Sequence, residues 1–221
     1  MAGMKGFYIG VGALAVGGAG VLFMAMGGGA TAMPTGPIDK AAIEAARDWE
    51  GYTVGNADAP VEIIEYADFE CPACRGWWVL TGHDVKRRLV ASGRVRFSFR
   101  DFAIHQNSIQ AHHAAACADE QGMFEQMHDK LFDTQQKWAG RTGVESRLYD
   151  YAQEIGIDIA QYDECMGEGR YRARIQASRD EGAGMGVTAT PTVFVGGTKY
   201  GALRYDQIKA IVDSLVPVDT Q

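Results

Sequence analysis

The sequence predicts an α/β fold: a mixed β-sheet flanked by helices, with a helical insertion between its second strand and a late hairpin. Three observations predict it. The run Val61-Glu62-Ile63-Ile64-Glu65-Tyr66-Ala67 is dense in β-branched and apolar residues, as a strand should be, and Cys71-Pro72-Ala73-Cys74 opens a helical stretch directly after it. The alternation Val95-Arg96-Phe97-Ser98-Phe99 reads as a second strand, and a strand-helix-strand unit favours a parallel pair. Thr192-Val193-Phe194-Val195, the turn Gly196-Gly197 and Lys199-Tyr200 read as a tight hairpin after a long block without strand-like runs.

The elements are justified in chain order. Residues 6–38 carry no charged side chain. Their apolar heart, residues 7–26, would span about 30 Å as a helix, the hydrocarbon thickness of a bilayer. Lys5 and the amino terminus put positive charge on one side only, which favours keeping that end in the cytoplasm. Residues 1–30 are therefore read as a transmembrane anchor or a signal peptide. The length of the run favours the anchor; nine glycines between Gly6 and Ala30, and the small-residue exit Ala30-Thr31-Ala32, keep the cleaved reading open. Residues 31–55 read as a linker with a short helix at 38–49, and residues 56–216 as the folded domain. Pro60 precedes the first strand, Pro72 suits a first helical turn, and Gly93 ends the helix that runs to about Ala91. Residues 106–179, rich in Ala, Gln, Glu and Met, form the helical insertion. A last amphipathic helix at 205–216 carries Ile208, Ile211, Val212 and Leu215 on one face, and residues 217–221 form a tail.

Composition narrows the function. Of 221 residues 47% are hydrophobic and 22% charged, which excludes a disordered chain. A net charge of −7 without a basic cluster argues against nucleic acid as a partner. The chain shows no phosphate loop, nucleotide fingerprint or close-set metal cluster, so no cofactor and no metal is expected.

A Cys-x-x-Cys at a strand-to-helix junction has a physical use. The first sulfur, Cys71, lies where unpaired N–H groups favour an anion, so its thiol becomes more acidic; Cys74, one turn on, can attack a mixed disulfide. A zinc half-site would need a second close-set pair, which Cys117, Cys165 and the five histidines do not offer. His112 and His113 are adjacent and point to different sides of a helix, while His83, His105 and His128 read as surface or packing residues.

Cys71-Pro72-Ala73-Cys74 after a strand ending in Phe69, with Thr190-Pro191 before a hairpin, resembles the thioredoxin superfamily. The helical block between the two motifs resembles its DsbA-like branch, the extracytoplasmic thiol:disulfide oxidoreductases. The resemblance implies a thioredoxin fold, a cis Pro191 packed on the active-site cysteines, and a Thr190 backbone that pairs with an extended substrate. It implies that Glu65 handles a proton for Cys74, where the plain alternative is a solvated strand residue. It also implies a second, structural bridge between Cys117 and Cys165, with two buried free thiols as the alternative. Departures concern redox poise: Ala73 replaces a histidine common in strong oxidants, Glu70 is expected to oppose a Cys71 thiolate, and Arg75 to offset part of that charge.

The implied activity is introduction of disulfides into exported proteins with free cysteines, in the bacterial periplasm or on the extracytoplasmic face of the inner membrane. A membrane quinone-linked partner would reoxidise the protein. A reductase or isomerase, and a non-catalytic binding module on the same scaffold, are the alternatives.

Overall fold

The computed structural model describes residues 30–216. The apolar run 7–26 and the tail 217–221 lie outside the described residues. Among the described residues no helix is long and apolar enough to cross a membrane.

Helix α1 (Lys40–Ala45) starts at Asp39, whose carboxylate accepts the Ala41 N–H at 3.0 Å. Strands β1 (Tyr52–Val54), β2 (Val61–Ala67), β3 (Val95–Asp101), β4 (Thr192–Val195) and β5 (Thr198–Tyr200) form one sheet in the order β1-β3-β2-β4-β5. The β2–β3 pair is parallel, with Val61 opposite Val95, and the other pairs are antiparallel. The crossover between the parallel pair is the helix that carries the Cys-x-x-Cys.

Strand β1 corrects the expectation of a linker through residue 55. Three residues give too short a pattern to read, and tertiary contacts hold them instead. The Thr53 and Ser98 hydroxyls meet at 2.8 Å, and the Tyr52 ring stacks on Phe124 with centroids 3.5 Å apart.

Alternation along β2 sorts its side chains. Val61, Ile63 and Ala67, with Glu65 among them, face the main core, where Trp77, Val85, Leu89, Ile208 and Val212 are buried. Ile64 and Tyr66 face a smaller cluster with Phe102, Val187 and Phe194. Helix α2 (Pro72–Trp77) does not continue as a regular α-helix: residues Trp78–Gly82 and Val85–Val90 take the wider π-helical winding. The Trp78 indole lies against the bare backbone of Gly82, where an added Cβ would stand 2.2 Å from the ring.

The insertion comprises α3 (Ser108–Asp119), α4 (Phe124–Asp133), α5 (Gln135–Trp138), α6 (Val144–Ile155), α7 (Ile159–Glu168) and α8 (Arg172–Gly184). Its last helix runs past the expected end at 179, and the bare backbone of Gly182 lets it approach the sheet. A Cβ there would stand 2.8 Å from the Tyr66 ring and 3.0 Å from Phe102. The two-residue turn Gly196-Gly197 has φ of 56° and 79°, the left-handed backbone that a tight hairpin needs. Helix α9 (Tyr205–Leu215) closes the fold and buries Ile208 and Val212.

Candidate active site

Two loops meet over the carboxyl end of β2. Residue Cys71 caps helix α2 with extended backbone (φ −77°, ψ 119°), and Pro72 occupies the first helical position, where its missing N–H costs nothing. Cys74 is fully buried one turn on. Both are thiols in this structure. From the other loop, Thr190 precedes Pro191 through a cis peptide bond, and the Cys71 thiol donates to the Thr190 carbonyl at 3.4 Å. The site is thus Cys71, Cys74 and the Thr190-Pro191 turn in contact.

The loop is locked by its neighbours. Gln135 Nε2 donates to the carbonyls of Phe69 (2.7 Å) and Cys71 (2.9 Å), so the insertion clamps the residues just before the helix. The Phe69 ring packs on Phe99, His112 and Phe132 at 5.0, 4.7 and 5.1 Å. Trp77 Nε1 donates to the Leu203 carbonyl at 2.8 Å, tying the helix to the segment before α9.

The two thiols differ sharply in acidity. The hydrogen bond from Cys74 lowers the pKa of Cys71 to about 5; burial opposes this, while Thr190 and the Cys74 and Ala73 backbone assist. Burial raises the pKa of Cys74 far above its ordinary range, aided by the hydrogen bond to Cys71 and by Glu65. Glu65 is fully buried on β2, and neither carboxyl oxygen has a hydrogen-bond partner. Burial, then the Cys71 charge, raises its pKa well above the carboxylate range. The alternative of a solvated strand residue is therefore overturned.

Glu70 also departs from expectation. Its carboxylate accepts the backbone N–H groups of Asn107 and Gly140, both at 2.6 Å, so two donors hold its charge. Arg75, expected to offset that charge, has its Nε bonded to the Phe132 carbonyl at 2.9 Å.

Cys117 and Cys165 are joined, S–S 1.99 Å, linking α3 to α7. Beside them His113 Nδ1 lies 3.4 Å from Cys117 Sγ and 3.2 Å from the Met166 sulfur. His113 Nε2 accepts the Tyr171 N–H at 3.1 Å, which leaves the proton on Nδ1, and burial lowers its pKa to about 4. These donor atoms cluster as metal ligands would, but the sulfurs are bonded to each other and the nitrogen facing them carries the proton. The i, i+4 spacing of His113 and Cys117 was the signal in the sequence for this group.

Sequence reasoning missed Asp68 altogether. Fully buried, it accepts hydrogen bonds from the Ser108 hydroxyl (2.6 Å), the backbone N–H groups of Glu70 and Ile104 (both 2.8 Å), and His105. Its own N–H donates to Cys74 Sγ at 3.4 Å.

A family model described as thioredoxin matches residues 48–214 of this chain. The chain belongs to the thioredoxin family. Among curated relatives of this thioredoxin-family chain, a Na(+)/H(+) antiporter NhaA 3 of Salinispora tropica is 32% identical over 164 residues, which is 72% of this chain but 24% of the antiporter. A protein of Bacillus anthracis named "Probable disulfide bond formation protein D" is 26% identical over 166 residues, covering 73% of this chain and 76% of that protein. Among solved structures, oxidised BdbD from Bacillus subtilis superposes with a TM-score of 0.68 at 24% identity, covering 74% of this chain and 91% of that one. That match is a likeness of fold.

Proposed function

We propose that the chain is a DsbA-like thiol:disulfide oxidoreductase that works outside the cytoplasm and introduces disulfides into exported proteins with free cysteines. The observation that carries the reading is the split in acidity between two touching thiols, one near pH 5 and one far above neutrality. At pH 7 a thiol with a pKa of about 5 is thiolate by about a hundredfold. A stable thiolate favours the reduced form and so makes the oxidised form a good donor of its disulfide.

A substrate thiolate attacks Cys71 Sγ of the Cys71–Cys74 disulfide, a bond forms between substrate sulfur and Cys71, and Cys74 leaves. A buried Cys74 sulfur needs a proton, and Glu65, held protonated by burial, supplies it. A second substrate thiolate then attacks the substrate sulfur of the mixed disulfide, and Cys71 leaves as the thiolate. The substrate loses two electrons and the enzyme gains them. An extended substrate pairs with the Thr190 backbone, and Pro191, with no N–H of its own, shapes that groove. Cys117–Cys165 is a structural bridge within the insertion. A membrane quinone-linked protein reoxidises the dithiol, and residues 7–26 hold the chain to the inner membrane.

Replacing Cys74 with Ser tests the reading. In cells, the Cys74→Ser protein should accumulate mixed disulfides through Cys71 with exported proteins, and the Cys71→Ser protein should not. An absence of adducts on non-reducing gels of the Cys74→Ser protein overturns the assignment.

A further inference from the structure

Asp68 is the hub between the cysteines and the next loop. Its carbonyl accepts the Cys71 N–H at 3.0 Å, its N–H donates to Cys74 Sγ at 3.4 Å, and its carboxylate holds His105 Nδ1 at 2.8 Å. The loop carrying His105 is pinned to this stretch at further points: the Ile104 and His105 N–H groups and the Ser108 hydroxyl reach Asp68, and the Asn107 N–H reaches Glu70. Such pinning fixes where the imidazole stands, yet its side chain remains 41% exposed, so protons can reach it.

We propose that His105, positioned by Asp68, tunes the acidity of Cys71 and takes up the proton released when the active-site disulfide is reduced. The inference deepens the oxidoreductase reading and rests on it. Reduction by a substrate dithiol gives a Cys71 thiolate, a Cys74 thiol, a substrate disulfide and one proton; a neutral His105 binds that proton and becomes a cation bonded to Asp68, whose backbone carbonyl and N–H reach Cys71 and Cys74. Burial lowers the His105 pKa, but the hydrogen bond to Asp68 and the negative charges of Asp68, Cys71 and Glu70 outweigh it, so the net direction is upward. His112, the other imidazole near Asp68 at 4.0 Å, is fully buried and bonded to Asp101 at 2.6 Å, so it has no route to solvent protons.

The test uses the full-length protein with His105→Gln, which keeps a donor for Asp68 but cannot be charged, and His105→Lys, which keeps a charge that does not titrate near neutrality. Two readouts apply: the Cys71 titration followed by thiolate absorbance, and the thiol-disulfide equilibrium with glutathione as a function of pH. His105→Gln should shift the Cys71 titration upward and move the equilibrium about tenfold toward the disulfide, about 30 mV for a two-electron couple. It should also steepen the pH dependence of that equilibrium between about pH 6 and 8, the range where an imidazole titrates, because the proton His105 would have taken up is then released to solvent. His105→Lys should restore the acidity but not the slope. A folded His105→Gln protein with an unchanged Cys71 titration and an unchanged slope overturns the inference. Should the wild-type protein fail to equilibrate with glutathione, the oxidoreductase reading fails instead, and the Cys71 titration still decides the role of His105.

Discussion

Replacing Glu65 with Leu separates the two consequences of an unpartnered buried carboxyl. Both oxygens of Glu65 are buried without a hydrogen-bond partner, and burial is the first cause of its raised pKa. A carboxyl whose folded pKa lies above its unfolded value leaves stability intact below the unfolded pKa, and stability falls as pH rises toward the folded pKa. The fall is about 1.4 kcal/mol for each pH unit between the unfolded and the folded pKa. Leucine has no such titration. Urea unfolding of the disulfide form, in which Cys71 carries no charge, should show the difference between Glu65→Leu and wild type growing with pH above about 4.3, by about 1.4 kcal/mol per pH unit until the folded pKa is reached. The same variant should exchange disulfides about 100-fold more slowly, because Cys74 loses its proton donor. A stability difference that stays constant across that pH range would refute the reasoning, since it would mean that Glu65 ionises normally in the folded protein.

Other outcomes follow from the same structure. Changing both Cys117 and Cys165 to Ala opens a loop with a sequence separation of 48 and should destabilise the protein by about 4 kcal/mol in chemical unfolding, with exchange through Cys71 changed less than about twofold. Gly182→Ala should cost about 2 kcal/mol in the same measurement, because the added methyl presses on Tyr66 and Phe102. In the reduced protein, alkylation of Cys71 should turn on with a midpoint near pH 5, while Cys74 stays unmodified in the folded state; peptide mapping distinguishes the two.

The main elements could be read from local pattern because local pattern produces them. Strand β2 is a dense β-branched run, the hairpin has a glycine pair at its turn, and α9 has a single apolar face. Strand β1 could not be read, since three residues carry no periodicity and its place depends on Ser98 and Phe124, far along the chain. The π-helical winding after Trp77 likewise has no counterpart in the local apolar pattern. At the site, adjacency in sequence was a poor guide to electrostatics. Glu70 directly precedes Cys71, yet its carboxylate is turned to two backbone N–H groups, those of Asn107 and Gly140. The imidazole bonded to Asp68, that of His105, lies 37 residues away in sequence, and only folding brings the two together.

The central claim is that Cys71 and Cys74 pass their disulfide to a protein substrate. Mixing the oxidised protein with a stoichiometric amount of a reduced, unfolded cysteine-containing protein, under anaerobic conditions, measures this directly. The account predicts that one substrate disulfide appears for each Cys71–Cys74 pair that becomes dithiol, with Cys117–Cys165 still linked by mass spectrometry. Substrate oxidation no faster than in buffer, or electrons arriving at Cys117–Cys165 in place of the active-site pair, would contradict it.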